Sequence, residues 1–296
     1  MVAAAALAFL AACGGSGLSS GPGGPVVRVV AAENFWGSIA SQIGGSHAHV
    51  LSVVTDPNAD PHLYPTNAND SRAIAMADVV IVNGAGYDRW AQGMIAAGGS
   101  SHRRVVNVAD VVGRKQGDNP HFWYNPAWVT QVADRVTAAF RAADPADAAY
   151  FDQQRAALDA SLRRYRDRIA EIRQKFSGVQ IGATESIFTY MASALGLQLI
   201  TPPEFMTAVA DGTEPPVNTV IQFENQIRQK QVRVVVYNVQ TDTATTTNIK
   251  HLAAAADVPV VGVSETLQPG SATFQEWQVS QLLALENALN ANALVT

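Results

Sequence analysis

ADAAYFDQQRAALDASLRRYRDRIAEIRQKF, residues 146–176, is the stretch whose reading decides the architecture. Its apolar positions, Phe151, Leu158, Leu162, Tyr165, Ile169, Ile172 and Phe176, recur at steps of three, four or seven. Arg, Asp, Gln and Glu fill most of the rest, so one stripe packs and the remainder meets water, the pattern of an amphipathic helix. Asp144-Pro145 supplies a start signal and Gly178 a stop. At 1.5 Å per residue the helix would run roughly 45 Å, about the height of a molecule this size. A coiled coil is the competing reading. It has only about three heptads to work with, and what flanks the segment favours a helix that links two halves.

Both flanks read as α/β. Before the segment, Val26–Ala32, His49–Val54, Val79–Asn83 and Val105–Val108 are short Val/Ile-rich runs. Apolar-periodic segments such as Phe35–Ile43 and Ser71–Met76 lie between them. After it, Val179–Ala183, Val232–Tyr237 and Val258–Val263 repeat the style, with helix-like Ile187–Leu195, Thr219–Gln229, Asn248–Ala256 and Thr273–Ala291. Continuous Val-rich strands alternating with helices indicate parallel sheets covered on both faces. The expected fold is α/β in two lobes, each a mainly parallel sheet flanked by helices, bridged by one long helix. The lobes take residues 26–145 and 177–296, the linking helix 146–176, and residues 1–25 precede them.

The chain's 296 residues, 48% of them hydrophobic and 15% charged, suffice to bury a core in each lobe. A net charge of -5 argues against a nucleic-acid partner, which calls for a basic face. The sole cysteine, Cys13, closes the apolar run Val2–Ala12, and Leu10-Ala11-Ala12-Cys13 resembles the bacterial lipobox, whose cysteine receives lipid. The run is too short for a bilayer-spanning helix. The Gly-, Ser- and Pro-rich stretch Gly14–Pro25 reads as a flexible tether. The expectation is a lipid-anchored protein on the extracytoplasmic face of the cell membrane, against an ordinary secretory signal in which the cysteine is incidental.

Two histidines sit in nearly identical settings: Asp60-Pro61-His62-Leu63-Tyr64 and Asn119-Pro120-His121-Phe122-Trp123. In each a proline restricts the backbone and an aromatic follows two residues later. Pre-ordering an imidazole in this way lowers the entropy lost on coordination, which is what a metal ligand needs. His47 and His49, an i, i+2 pair before a strand, read as structural. Asn238 and Gln240, at the end of a strand, are candidates for hydrogen-bonding to ligands. Gly84-Ala85-Gly86 lacks the rest of a nucleotide fingerprint.

The stretches Asp56–Thr66 and Ala77–Gly84 together resemble the zinc- and manganese-binding lipoproteins of ABC importers. Asn119–Pro126 matches that family's second histidine motif, with asparagine at 119 and 125 where aspartate is usual. Ala183–Tyr190 resembles the segment that opens the family's second lobe, where a histidine or glutamate is the third ligand; here it is Glu185. The family's fourth ligand is an acid after a late strand of that lobe. Glu265, just past Val258–Val263, stands there, at a strand end where α/β folds place ligand residues. The resemblance covers Val26–Thr296. It implies a long rigid linking helix and a metal held between the lobes by His62, His121, Glu185 and Glu265. It further implies a monomer that delivers its cargo to an ABC permease and its ATPase.

Two other classes compete: a zinc-dependent hydrolase and a surface adhesin of the same family. Catalytic zinc keeps an open position for water, whereas two imidazoles and two carboxylates fill a tetrahedron, and no His-Glu-x-x-His pair occurs. A carrier with no enzymatic activity is therefore expected. Its cargo is Zn2+ or Mn2+, with zinc favoured by the affinity order of divalent metals.

Overall fold

The structure is a computed structural model that describes residues 25–58, 61–99 and 102–291. Cys13 and most of the tether lie outside the described residues. Strands β1 (Val27–Glu33), β2 (Ala48–Val54), β3 (Val79–Val82) and β4 (Arg104–Asn107) form one sheet of order β2-β1-β3-β4. Strands β5 (Gln180–Ala183), β6 (Gln198–Leu199), β7 (Val235–Asn238) and β8 (Val260–Val263) form a second, β6-β5-β7-β8. Every pairing is parallel. The second half of the chain thus repeats the order of the first. The short edge strand β6 carries no apolar run and has no counterpart among the strands expected from sequence.

Helices α1 (Asn34–Gly44), α2 (Ala68–Met76), α3 (Arg89–Ala97), α4 (Val108–Val111) and α5 (Pro126–Ala143) belong to the N-lobe. Val108, expected to end a strand, opens α4 instead. α6 (Ala148–Ser161) and α7 (Arg163–Phe176) follow one another across the single residue Leu162. α8 (Thr189–Ala194), α9 (Pro203–Ala210), α10 (Val217–Arg228), α11 (Ala244–Ala255) and α12 (Phe274–Ala291) belong to the C-lobe. α5 has a clear start: Asn125 accepts the N–H groups of Ala127 and Trp128, and Pro126 takes the first turn, where no donor is needed.

The linking helix is present, with an interruption at Leu162, whose φ and ψ are -72° and -5°. The helical ladder still reaches Leu162, whose N–H donates to Leu158 O at 2.9 Å, and side-chain donors add to it. Ser161 Oγ donates to Leu158 O at 2.8 Å, and the Arg166 guanidinium donates to Asp159 O at 2.8 Å. The expected apolar stripe is the buried one, with Phe151 and Ile172 at 0% exposure. Each such side chain contributes about 1.5–3 kcal/mol on burial, far more than helix propensity adds. Against this stripe lies α12, whose Glu286 meets both Arg168 and Lys175 at 2.7 Å.

One continuous core runs through both lobes, from Val29 and Phe35 through Tyr165 to Trp277 and Leu285. β1 shows how it divides. Val27, Val29 and Ala31 face this core, while Val30 and Ala32 face a smaller cluster with Ile74, Val80 and Val82 on the other side of the sheet. The period of two is that of a strand buried on both faces. Among the described residues no helix is long and apolar enough to cross a membrane.

Candidate metal centre

The four residues singled out in the sequence all stand beyond the carboxyl ends of parallel strands, where α/β folds leave a crevice. His62 lies on a one-turn helix, Pro61–Leu63, after β2, and His121 directly precedes another, Phe122–Tyr124. Glu185 comes two residues after β5 ends, and Glu265 two residues after β8 ends.

The two lobes bring them together. His62 Nε2 lies 3.5 Å from Glu265 Oε2, and His121 Nε2 lies 3.3 Å from Glu185 Oε1 and 3.9 Å from Glu265 Oε2. Ligand atoms of His62, His121 and Glu265 all fall within 4.8 Å of one another, and Glu185 joins them through His121. Bonds of about 2.0–2.2 Å to a tetrahedral ion separate neighbouring donors by about 3.3–3.6 Å. The two shorter distances match that spacing before any ion is placed.

Three of the four side chains, His121, Glu185 and Glu265, are aimed by hydrogen-bond partners. His121 Nδ1 lies 2.7 Å from Asn119 Oδ1, so the proton sits on Nδ1 and the Nε2 lone pair faces the cluster. Asn119 also donates from Nδ2 to Ser186 O at 2.7 Å, next to Glu185 in the opposite lobe. Aspartate at 119 would lack that donor. Asn125, the other departure from the family pattern, caps α5 and takes no part in the cluster. Asn238 donates to Glu185 Oε2 and, at 2.8 Å, to Glu265 Oε1, holding both carboxylates with one amide. Gln240 Oε1 accepts the N–H groups of Glu265 and Thr266 at 2.6 and 3.1 Å. Both residues thus take the hydrogen-bonding places expected of them.

Tyr87, Thr241, Glu33, Asp88 and Asn83 were not legible in the sequence. Tyr87 reaches across from the N-lobe and donates to Glu265 Oε2 at 2.7 Å, and Thr241 donates to Glu185 Oε2 at 3.3 Å. The one usable signal was an acid, Glu33, directly after the apolar run Val29–Ala32. His47 is buried, stacks on Tyr150 at 3.7 Å and meets Asp147 at 2.8 Å, a structural arrangement; His49 is exposed. Asp78 pairs with Arg28 at 2.7 Å, at the opposite end of the sheet.

Burial sets the electrostatics. The side chains of His121, Glu185 and Glu265 are 0% exposed, that of His62 23%. Desolvation, and then the neighbouring His62, hold the His121 imidazolium well below its ordinary value, so the ring is neutral and ready to bind a cation. A cavity of about 430 Å³ opens beside His62, lined also by Tyr64, Trp90, Asp118, Pro120 and Asp211, from both lobes. It reaches the cluster at its one partly exposed member.

Two like lobes joined by a helix, with imidazoles from one meeting carboxylates from the other, define a metal-binding, substrate-binding protein. The chain belongs to the ZnuA family, described as zinc-uptake complex component A, periplasmic, which matches residues 29–288. It is 25% identical over 223 residues to the manganese-binding lipoprotein MntA of Bacillus subtilis, covering 71% of this chain and 70% of that protein. The periplasmic zinc-binding protein TroA of Treponema pallidum superposes with a TM-score of 0.76 at 17% identity, over 90% of this chain and 99% of that one. FpvC of Pseudomonas aeruginosa, solved with Mn2+, superposes with a TM-score of 0.71 at 19% identity, over 90% of this chain and 99% of that one.

Proposed function

We propose that the protein captures a divalent transition metal between its lobes and delivers it to an ABC permease driven by its ATPase, with His62, His121, Glu185 and Glu265 as ligands. The observation that carries this reading is the convergence of two imidazoles and two carboxylates from opposite lobes at 3.3–3.9 Å. Buried acids and a neutral buried histidine are costly to assemble without a cation to compensate them. Four donors close a tetrahedron and leave nothing to activate water, which suits a carrier.

Zinc is the cargo we assign, with manganese bound more weakly. Nitrogen and oxygen donors accept either metal, and the donor spacing suits a small tetrahedral ion. The affinity order rises from manganese towards copper and stays high at zinc. MntA, a relative, is named for manganese, so the choice is best tested directly. Protein loaded with manganese and given equimolar zinc should exchange it, as followed by elemental analysis. Manganese retained at equilibrium would overturn the zinc assignment. In the same reading Cys13 carries a lipid that anchors a monomer on the extracytoplasmic face of the membrane. Cys13→Ser should move the protein from the membrane fraction to the soluble one without altering its metal binding.

A further inference from the structure

Beside the cluster, in the N-lobe, lie two acids that ligation does not use. Glu33, the last residue of β1, is 1% exposed, and Asp88, just before α3, is 0% exposed. Asp88 accepts the N–H of Asn83 at 2.6 Å and that of Gly84 at 2.9 Å. Glu33 is hydrogen-bonded to Asp88, yet its Oε2 meets no N–H or O–H donor. Two ionised carboxylates cannot hydrogen-bond to each other, because both only accept. The contact therefore needs a proton. Asp88, with two backbone donors, is the better-supported anion, and Glu33 is the better acid. The charged groups acting on Glu33 are Asp88 and, from the C-lobe, Glu265, and both disfavour a second negative charge. Burial, first, and Asp88, second, hold the Glu33 carboxyl well above the ordinary range.

The Asn83–Asp88 turn held by this pair touches both lobes' donors. Asn83 Nδ2 donates to Pro120 O at 2.8 Å, one residue before His121, while Asn83 Oδ1 accepts Trp36 Nε1–H at 3.0 Å. Tyr87, one residue before Asp88, donates to Glu265 Oε2 at 2.7 Å. Gly84 makes the turn with a φ of +79°, where a side chain would collide with Asn107.

We propose that Glu33 is a positioning residue which works as a neutral carboxylic acid: it donates to Asp88, and the pair fixes the Asn83–Asp88 turn that aligns His121 and Glu265. The proposal rests on His121 and Glu265 being ligands. The pair keeps its proton when metal binds and carries one net negative charge beside the cation.

Glu33→Gln and Glu33→Ala in the full chain test this. Glutamine keeps a donor towards Asp88, so zinc affinity, measured by chelator competition at neutral pH, should stay within about threefold of wild type. Alanine removes the donor and should weaken zinc binding roughly 10- to 100-fold, the range for losing an outer partner of a metal ligand. The infrared difference between wild type and Glu33→Gln at neutral pH should contain the carbonyl stretch of a protonated carboxylic acid. Metal-free Glu33→Gln should also melt above wild type by a margin that grows as pH rises from about 4.3, the unfolded carboxyl value. The sign follows because a raised native value holds a proton that the unfolded chain releases, so the acid's stabilisation is complete below 4.3 and is lost as pH rises. The infrared and melting measurements need no metal, so they decide the proton even if the ligand assignment fails or Glu33→Ala does not fold. Absence of the protonated band in wild type, or equal loss of affinity in the glutamine and alanine variants, would overturn the proposal.

Discussion

The two lobes have the same strand order and opposite chemistry. β1 corresponds to β5, β3 to β7 and β4 to β8 in the orders β2-β1-β3-β4 and β6-β5-β7-β8. An acid follows or ends the first strand of each set, Glu33 after a buried run and Glu185 just past β5. An asparagine stands at the end of the next equivalent strand, Asn83 after β3 and Asn238 closing β7. In the C-lobe the acid faces the cluster and the asparagine steadies it and Glu265. In the N-lobe the acid turns inwards to Asp88, the asparagine grips the backbone before His121, and imidazoles take over the role of donors. Similar scaffold positions thus place one acid in the cluster, held by an amide, and turn the other away from it towards a second carboxylate. The cleft therefore sets neutral rings on one side against carboxylates on the other.

The largest effects should come from the most buried donors. His121→Ala should weaken zinc binding by more than the roughly 10- to 100-fold typical of a supporting residue. His62→Ala should cost less, because its side chain is 23% exposed and water can take the vacant place. Calorimetry on both variants orders the N-lobe; equal affinities to wild type would place the site elsewhere. On the C-lobe side Glu265→Gln should lose more than Glu185→Gln. Glu265 Oε2 faces both imidazoles, 3.5 Å from His62 Nε2 and 3.9 Å from His121 Nε2, while Glu185 Oε1 lies 3.3 Å from His121 Nε2. The reverse order would mean that the lobes do not share the ion as their contacts suggest.

Acid should next separate two buried groups of the N-lobe, His121 and Glu33. The His121 value is depressed by burial, so the folded protein resists a proton that the unfolded chain takes up near pH 6.5. The stability this provides is complete above about 6.5 and is lost as pH falls from there towards the depressed native value. Thermal melts of the metal-free protein from pH 8 to 5 should show that loss, and a His121→Phe variant should flatten it. The Glu33 acid acts with the opposite sign, losing stability as pH rises. The two slopes oppose each other where the windows overlap, so each is read as the difference between wild type and its own variant. A pH-independent difference for both His121→Phe and Glu33→Gln would contradict the two buried neutral states.

How much of this was readable beforehand follows from the kind of signal each residue leaves. The linking helix announced itself because a buried stripe repeats for many turns, and its interruption at Leu162 did not, because ψ of one residue leaves no periodic trace. The two histidine loops stood out through proline and aromatic neighbours. Glu185 and Glu265 were named from the family resemblance, since a glutamate after a strand looks the same whether it faces metal or water. Tyr87 and Asp88 were hidden because their partners lie far along the chain or are backbone N–H groups, neither of which a local pattern reveals. α5 was missed because its valines suggest a strand as readily as a helix face.

Two asparagines where the family favours aspartate test the comparison at its finest grain. Asn119→Asp should pull both ways. A carboxylate against His121 Nδ1–H makes the imidazole more basic and should tighten metal binding. The same change removes the N–H donated to Ser186 O across the lobes. Leaving that carbonyl without its donor costs about 1–3 kcal/mol if it stays buried. The metal-free variant should therefore melt lower than wild type while binding zinc more tightly, and a variant that gains stability without metal would show that the amide bridge contributes nothing.

Asn125→Asp is the smallest change and the sharpest control. Its side chain accepts the N–H groups of Ala127 and Trp128 at 3.0 and 3.2 Å, at the start of an 18-residue helix, and does nothing else that bears on the cluster. Asparagine and aspartate are nearly equivalent as N-caps. Aspartate adds only its charge near the positive end of the helix dipole, a gain of about 0.3–1 kcal/mol at low salt. Melting temperature should rise slightly at low ionic strength and return to the wild-type value as salt is added. Zinc affinity should not move. If Asn125→Asp changed affinity as much as Asn119→Asp, the two departures would act through general negative charge near the N-lobe histidines, and the specific bond from Asn119 to His121 would lose its explanatory role.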